Sequence, residues 1–217
     1  MLFRSNSPQY LEALFGIWHA GLVAVPVNAR LHRDEIKYIL EHSSSSLVLT
    51  DDEHADDVDP LVAEVATLQA SVRVPGPEWP ALVGSAPAPV ADRQGDDPAW
   101  LFYTSGTTGR PKGATLTHRN LLMASLSYFA DIDPISPDDS ILHAAPLSHG
   151  SGMWAIAALA RGAHNVVLPG SFEPDRVYEA IKQYRHVSMF AAPTMVVRIH
   201  FLLFGTYRHD GWSTAPN

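Results

Sequence analysis

The sequence predicts an α/β fold, layered parallel sheets joined by crossover helices. Short apolar, β-branched runs alternate with stretches of helical period along nearly the whole chain, the order that parallel strands with crossovers require. The 217 residues, 46 % of them hydrophobic, suffice for one sizeable core or part of a larger one. No internal repeat breaks the rhythm.

The elements follow in order. Ser7-Pro8 is a helix start, and Tyr10, Leu11, Leu14, Ile17 and Trp18 then recur at helical spacing up to Gly21. "LVAVPVN" reads as a strand, Asp34 to His42 as a helix with Ile36, Ile39 and Leu40 on one face, and "SSLVLTDD" as a strand. A helix is expected near Val58 to Ala70, leading into "SVRVP". From Pro75 to Pro98 six prolines mark an irregular surface connection rather than a domain boundary. Beyond it "AWLFYTSG" is a strand, Thr117 to Ala130 a helix, "SILHAAP" a strand, Ser151 to Ala160 a helix and "HNVVLP" a strand. Pro174 opens a helix to Tyr184, "VSMFAA" is a strand, and Pro193 to Phe204 is helical. Residues 205–217 carry no period of either kind.

Composition excludes several function classes. With no cysteine, disulfide frameworks, thiolate zinc sites and cysteine nucleophiles are impossible. No uncharged apolar run reaches membrane-helix length, and a cytoplasmic location is the expectation. A formal charge of -8 argues against nucleic acid as a partner, because such binding needs a basic stripe. The acids crowding Asp51, Asp52, Glu53, Asp56, Asp57 and Asp59 read as a solvated loop and helix start rather than a metal site. By contrast, no Asp or Glu occurs between Asp97 and Asp131, where Arg110, Lys112, His118 and Arg119 all fall. An acidic chain has kept one region hospitable to anions.

That region holds "LFYTSGTTGRPKG", Leu101 to Gly113. Closely spaced glycines let successive N–H groups point one way, and the hydroxyls of Thr104, Ser105, Thr107 and Thr108 add donors. With Arg110 and Lys112 supplying charge, the segment suits phosphate oxygens. Gly, Ser and Thr also populate ordinary polar turns for local reasons. The Walker pattern fails, because Pro111 follows Gly106 by five residues and Gly113 follows Lys112.

Leu101 to Lys112 resembles the phosphate-loop signature of the adenylate-forming superfamily, which includes acyl-CoA synthetases, luciferases and peptide-synthetase adenylation domains. "NSPQYLEALFGIWHAGLVAVPVNARLHRDEIKYILEHS" resembles the early part of acyl-CoA synthetase large domains, "APLSHGSGM" their next motif, and "AAPTMVVRI" a later strand-to-helix passage. The similarity runs from Leu2 to Ile199.

The resemblance implies a two-step reaction. A small-molecule carboxylic acid attacks the α-phosphate of ATP, pyrophosphate leaves, and CoA then takes the acyl group from the adenylate. By the family pattern Thr104, Ser105, Gly106, Thr107, Thr108, Gly109 and Lys112 hold the β- and γ-phosphates, with Mg²⁺ as counter-ion and Thr104 its candidate contact. His149 occupies the position of an acyl-site gate, and Gly150 and Gly152 would allow close approach of substrate. Met153 and Trp154 would sit near the acyl chain.

Three other readings were weighed. "GSGMWA" fits G-x-G-x-x-A with Glu173 downstream, a loose sign of a nicotinamide-dependent oxidoreductase, but Pro146 to His149 separate it from the strand. "HGSG" hints at an esterase loop, but no G-x-S-x-G is present. A non-catalytic remnant or nucleotide-binding module is the third. The family's downstream Tyr-Gly-x-Thr-Glu and Thr-Gly-Asp motifs are absent, and after Lys112 the only lysine is Lys182. The expectation is therefore an incomplete N-terminal large domain over 1–217, an irregular connection at 75–98, an atypical tail at 205–217 and no C-terminal small domain.

Overall fold

Strands β1 (Leu2–Phe3), β2 (Pro26–Val27), β3 (Leu47–Thr50) and β4 (Ala70–Arg73) pair in parallel in the order β2-β1-β3-β4. The computed structural model describes residues 1–77, 79–104 and 110–204. Helix α1 (Pro8–His19) links β1 to β2, and α2 (Arg33–His42) links β2 to β3. Neighbouring residues of a strand face opposite sides. Leu2 accordingly joins Tyr10 and Leu14 of α1 in one apolar cluster, while Phe3 joins Ile36, Ile39 and Leu40 of α2 in another. The sheet is thus covered on both faces, as parallel sheets generally are.

The expected helix over Val58 to Ala70 is not continuous. A 3₁₀ turn at Asp52–His54, then α3 (Ala55–Val58) and α4 (Leu61–Glu64) replace it, and Pro60 is the reason. Its ring removes a donor and blocks the preceding turn, so the helix must restart behind it. Val58, Leu61, Val65 and Leu68 are nonetheless all buried, so the apolar spacing marks the core correctly. The stretch 75–98 includes one short helix, α5 (Trp79–Val83). Its later part is tied to the end of α1: Ala91 N–H donates to the His19 carbonyl at 2.9 Å and Arg93 Nε to that of Gly21 at 2.8 Å. Gly21 has φ +70°, and a Cβ there would meet Ala91 at 2.7 Å, so glycine is required on both counts.

A two-stranded ribbon interrupts the parallel pattern. β5 (Pro98–Thr104) is followed by β6 (Lys112–Thr117), which folds back antiparallel on it. "KGATLT" has glycine, alanine and no fully buried position, so neither propensity nor periodicity announces a strand there. The ribbon is anchored by a parallel bridge between Ala24 and Trp100, and Trp100 is fully buried.

The second parallel sheet has the order β8-β7-β9, from β7 (Ser140–His143), β8 (His164–Val167) and β9 (Val187–Met189). Helix α6 (His118–Asp131) leads into β7, α7 (Gly150–Ala160) and α8 (Pro174–Gln183) run between the strands, and α9 (Pro193–Phe204) follows β9. Thr117 caps α6 reciprocally with Asn120, which fixes where β6 ends and the helix begins. Two parallel sheets with helical crossovers are the fold that the alternation predicts. No helix among the described residues is long and apolar enough to cross a membrane.

Candidate functional site

The glycine-rich segment connects two antiparallel strands, β5 and β6, and does not lead from strand into helix. Thr104 and Lys112 pair directly across the ladder, so they stand at the base of the two limbs. Of the expected phosphate contacts, Ser105, Gly106, Thr107, Thr108 and Gly109 lie outside the described residues. Thr104 and Lys112 are both exposed. Among the described residues Arg110 and Lys112 form no ion pair with an acid, whereas Arg119 binds Asp96 at 2.8 Å. The cationic window therefore has a free part at the hairpin and a neutralised part behind it.

Residues 100, 102 and 104 share one face of β5, and this face carries the strand towards the second motif. The Phe102 ring meets the His149 ring edge-on at 5.5 Å. The structure thus brings His149 to the strand that carries Thr104. β7 ends at His143, and Ala144 to His149 form the turn that leads into α7. His149 is half-buried, shares a 2.9 Å hydrogen bond between Nδ1 and Ser148 Oγ, and is held by burial below the usual histidine pKa.

The glycines of this turn accommodate the protein itself. A Cβ at Gly152 would sit 1.9 Å from the Leu147 carbonyl oxygen, and one at Gly150 would sit 2.8 Å from the Phe190 ring. Six residues separate the end of β7 from Gly150, where α7 begins, so "GSGMWA" is not the tight strand-to-helix turn that a dinucleotide fingerprint needs. Of the two residues expected near an acyl chain, Trp154 packs on Tyr128 at 4.6 Å and Met153 on the cluster around Trp100.

One polar group here has no sequence signal. His143, fully buried, bonds Ser151 Oγ through Nδ1 and Asn165 Oδ1 through Nε2, both at 2.8 Å. Asn165 Nδ2 donates to the Ala163 carbonyl at 3.2 Å, which fixes the amide so that its oxygen accepts from His143. Nδ1 is then left to accept from Ser151, and burial lowers the pKa of this neutral imidazole. A Ser-His-Asn chain looks catalytic, but Ser151 is 0 % exposed and no acyl group can reach it. The triad is a brace that joins β7, α7 and β8.

The carboxyl ends of both parallel sheets converge on a cavity of about 710 Å³. Crevices at that end of parallel strands are where α/β sheets usually take ligands. Arg4, Asn28, Arg30, Ser148, Met195 and Arg198 are among its lining residues. Arg4, Asn28 and Arg30 lie within three residues of a strand end, a sequence signal that could have found them, whereas Ser148, Met195 and Arg198 stand farther along. Nearby, Asp51, Glu53 and His54 bring ligand atoms within 4.8 Å of one another. Asp51 already accepts from Ser5 N–H and from the His54 ring, and His54 Nε2 bonds the Ala29 carbonyl at 3.0 Å. The cluster ties strand ends together.

This architecture matches known proteins. A family profile described as AMP-binding enzyme covers residues 1–211, and the chain belongs to that family. A feruloyl-CoA synthase from an Amycolatopsis species is 39 % identical over 213 residues, 97 % of this chain and 40 % of the relative. The chain thus spans about 40 % of the length of that curated relative. Two solved structures share the fold. A fatty acyl CoA synthetase from Mycobacterium tuberculosis has TM-score 0.82 and 27 % identity, over 92 % of this chain and 39 % of that one. ATP-bound MatB from Rhodopseudomonas palustris has TM-score 0.78 and 28 % identity, over 91 % and 40 %. CoA ligases recur among the relatives, and the family profile gives an AMP-binding domain over residues 1–211.

Proposed function

We propose that this chain is the N-terminal large-domain part of an ATP-dependent acyl-CoA synthetase and carries its triphosphate-binding hairpin. The observation that supports it most is Lys112 opposite Thr104 at the base of the glycine-rich tip, free of acidic partners among the described residues, with His149 two residues away along the same strand face. In this reading Thr104, Ser105 to Gly109 and Lys112 hold the β- and γ-phosphates while a carboxylate attacks the α-phosphorus and pyrophosphate departs. Fixed donors aimed at developing charge supply most of the catalysis in such steps. CoA thiol then displaces AMP from the acyl-adenylate.

His149 serves as a wall of the acyl site. A half-buried neutral imidazole lying against Phe102 suits the less polar part of a carboxylic acid better than a charged one would. Gly150 and Gly152 serve indirectly, by letting the turn pack closely enough to place His149. Thr104 fits a phosphate oxygen better than it fits a metal. Its hydroxyl is neutral, and no Asp or Glu occurs from 98 to 130, whereas Mg²⁺ on a nucleotide usually adds a carboxylate to its phosphate and water ligands. Mg²⁺ therefore belongs with the nucleotide as it arrives, and it neutralises phosphate charge there.

A nucleotide-binding module without turnover is the second reading, and the absent Tyr-Gly-x-Thr-Glu and Thr-Gly-Asp motifs favour it for the 217-residue chain taken alone. A cytoplasmic location completes the proposal. Equilibrium titration tests it: the chain should bind ATP weakly but more tightly than AMP, and show no carboxylate-dependent exchange between ATP and pyrophosphate. Equal affinity for the two nucleotides sinks the phosphate role. Robust, Lys112-dependent exchange would instead show that this chain is catalytically sufficient.

A further inference from the structure

Behind the hairpin stands an aromatic column, Tyr38, His42 and Tyr103, to which the sequence reading gave no role. Tyr38 and His42 are four residues apart on α2, the spacing that stacks side chains one above the other. Their rings lie 5.5 Å apart at 26°. His42 Nδ1 and the Tyr103 hydroxyl share a 2.7 Å hydrogen bond. Tyr103 pairs with Gly113 across the ladder, and a Cβ at Gly113 would meet its ring at 3.0 Å, so the ring lies flush against the second limb.

The other end of the column reaches the outgoing limb itself. The Tyr38 hydroxyl donates to the Pro111 carbonyl at 3.4 Å, and the Arg110 guanidinium lies 5.6 Å from the centre of the Tyr38 ring. Arg110, Pro111 and Gly113 are thus each held from α2, directly or through Tyr103, and Lys112 is the residue between them. An exposed lysine on a four-carbon stem is a poor anchor unless its Cα is fixed, because its rotamer freedom opposes any single pose.

We propose that Tyr38 is a positioning residue for the phosphate hairpin: it fixes where Arg110 and Pro111 leave the tip and so where the Lys112 ammonium reaches. The inference rests on the reading of this hairpin as the triphosphate site and adds a residue on a different element. Tyr38 touches no substrate in this scheme. Its effect passes through Arg110 and Pro111, and it concerns the distal phosphates and not the nucleoside.

The test is equilibrium titration of the full chain with ATP and with AMP, for the parent protein, Tyr38→Phe, Tyr38→Ala and Lys112→Ala, alongside amide hydrogen exchange at Lys112 and Gly113. Losing the ring under an exposed guanidinium should lower ATP affinity roughly two- to fivefold in Tyr38→Ala, with AMP affinity unchanged. Tyr38→Phe keeps the ring and should restore most of the preference for ATP. Exchange at Lys112 should quicken in Tyr38→Ala without nucleotide, which a contribution to global stability alone would not produce once melting temperatures are matched. If Lys112→Ala loses the ATP preference while Tyr38→Ala keeps it, or if Tyr38→Ala weakens both nucleotides equally, the inference is wrong and the phosphate site stands. If the parent protein has no ATP preference, both fall.

Discussion

The tip between β5 and β6 and the turn between β7 and α7, taken with the Gly-Ser-Gly that opens α7, both follow a strand's carboxyl end and both combine glycine with hydroxyls, yet they treat polarity in opposite ways. In the first, Arg110 and Lys112 are exposed and have no acidic partner among the described residues. In the second, His143, Ser148, His149 and Ser151 are buried or half-buried and bonded to one another or to Asn165. In the proposed function the first turn keeps its charge for a ligand. The other spends its polar groups on holding its own shape, so glycine has a different purpose in each.

The sharpest break of this contrast is Gly152→Ala. The new Cβ would meet a backbone oxygen at 1.9 Å, which cannot swing aside as a side chain can. Overpacking of this kind should cost about 3 kcal/mol, read as a lower urea midpoint. Gly16→Ala, in α1 with nothing within 4 Å, should instead raise stability, by about 0.5 to 1 kcal/mol. An unchanged midpoint for Gly152→Ala would mean that the turn is not packed on Leu147 as described.

Lys112→Ala probes the other side. A hydrogen bond to a charged group is worth about 1.5 to 3 kcal/mol, so ATP affinity should fall about ten- to a hundredfold while AMP affinity stays about level. Stability should hardly move, because the side chain is exposed. A stability loss without an affinity loss would make the first turn structural like the second.

The two turns also differ in how far the sequence reveals them. The glycine-rich stretch stands out in the sequence because the residue types proposed to meet a phosphate stand together in one run. The His143 brace is not, since Ser151 and Asn165 come from other elements and only the β7-β8 register and α7 bring them together. The parallel sheets were legible from alternation, for burial on both faces demands continuous apolar runs such as "LVLT". The ribbon strand β6 was missed for the complementary reason. Without a buried position, it carries no apolar period, and only its ladder with β5 reveals it. Pro60 was in plain view, but the buried spacing of Val58, Leu61 and Val65 resembles one helix and masked the break it enforces.

His143 offers a smaller effect through pH. Burial favours the neutral ring in the folded state, so the unfolded chain binds the proton more readily. The stability from neutral His143 is therefore complete above the ordinary histidine value of about 6.5 and declines as pH falls through and below it. His149, shifted the same way, adds to this slope. His143→Gln should make the fall in melting temperature between neutral and mildly acid pH shallower than in the parent protein. A variant with an undiminished slope would assign the acid sensitivity elsewhere and leave the brace without its expected signature.

The smallest effect is expected at Arg119, and it decides how local the free charge is. Arg119 lies in the same acid-free window as Lys112, but its guanidinium binds Asp96 at 2.8 Å with both side chains largely in water, 62 % and 81 % exposed. Such pairs contribute little to stability, and the paired charge is offset close to its source. Arg119→Ala should therefore leave both melting temperature and ATP affinity within error, at low salt as well as near 0.15 M, where the screening length is about 8 Å. Should Arg119→Ala weaken ATP at low salt only, the hairpin acts through a field spread over the whole window. The contrast between the two turns would then be one of regional potential, and Lys112 would be one contributor among several and not the contact that reads the distal phosphates.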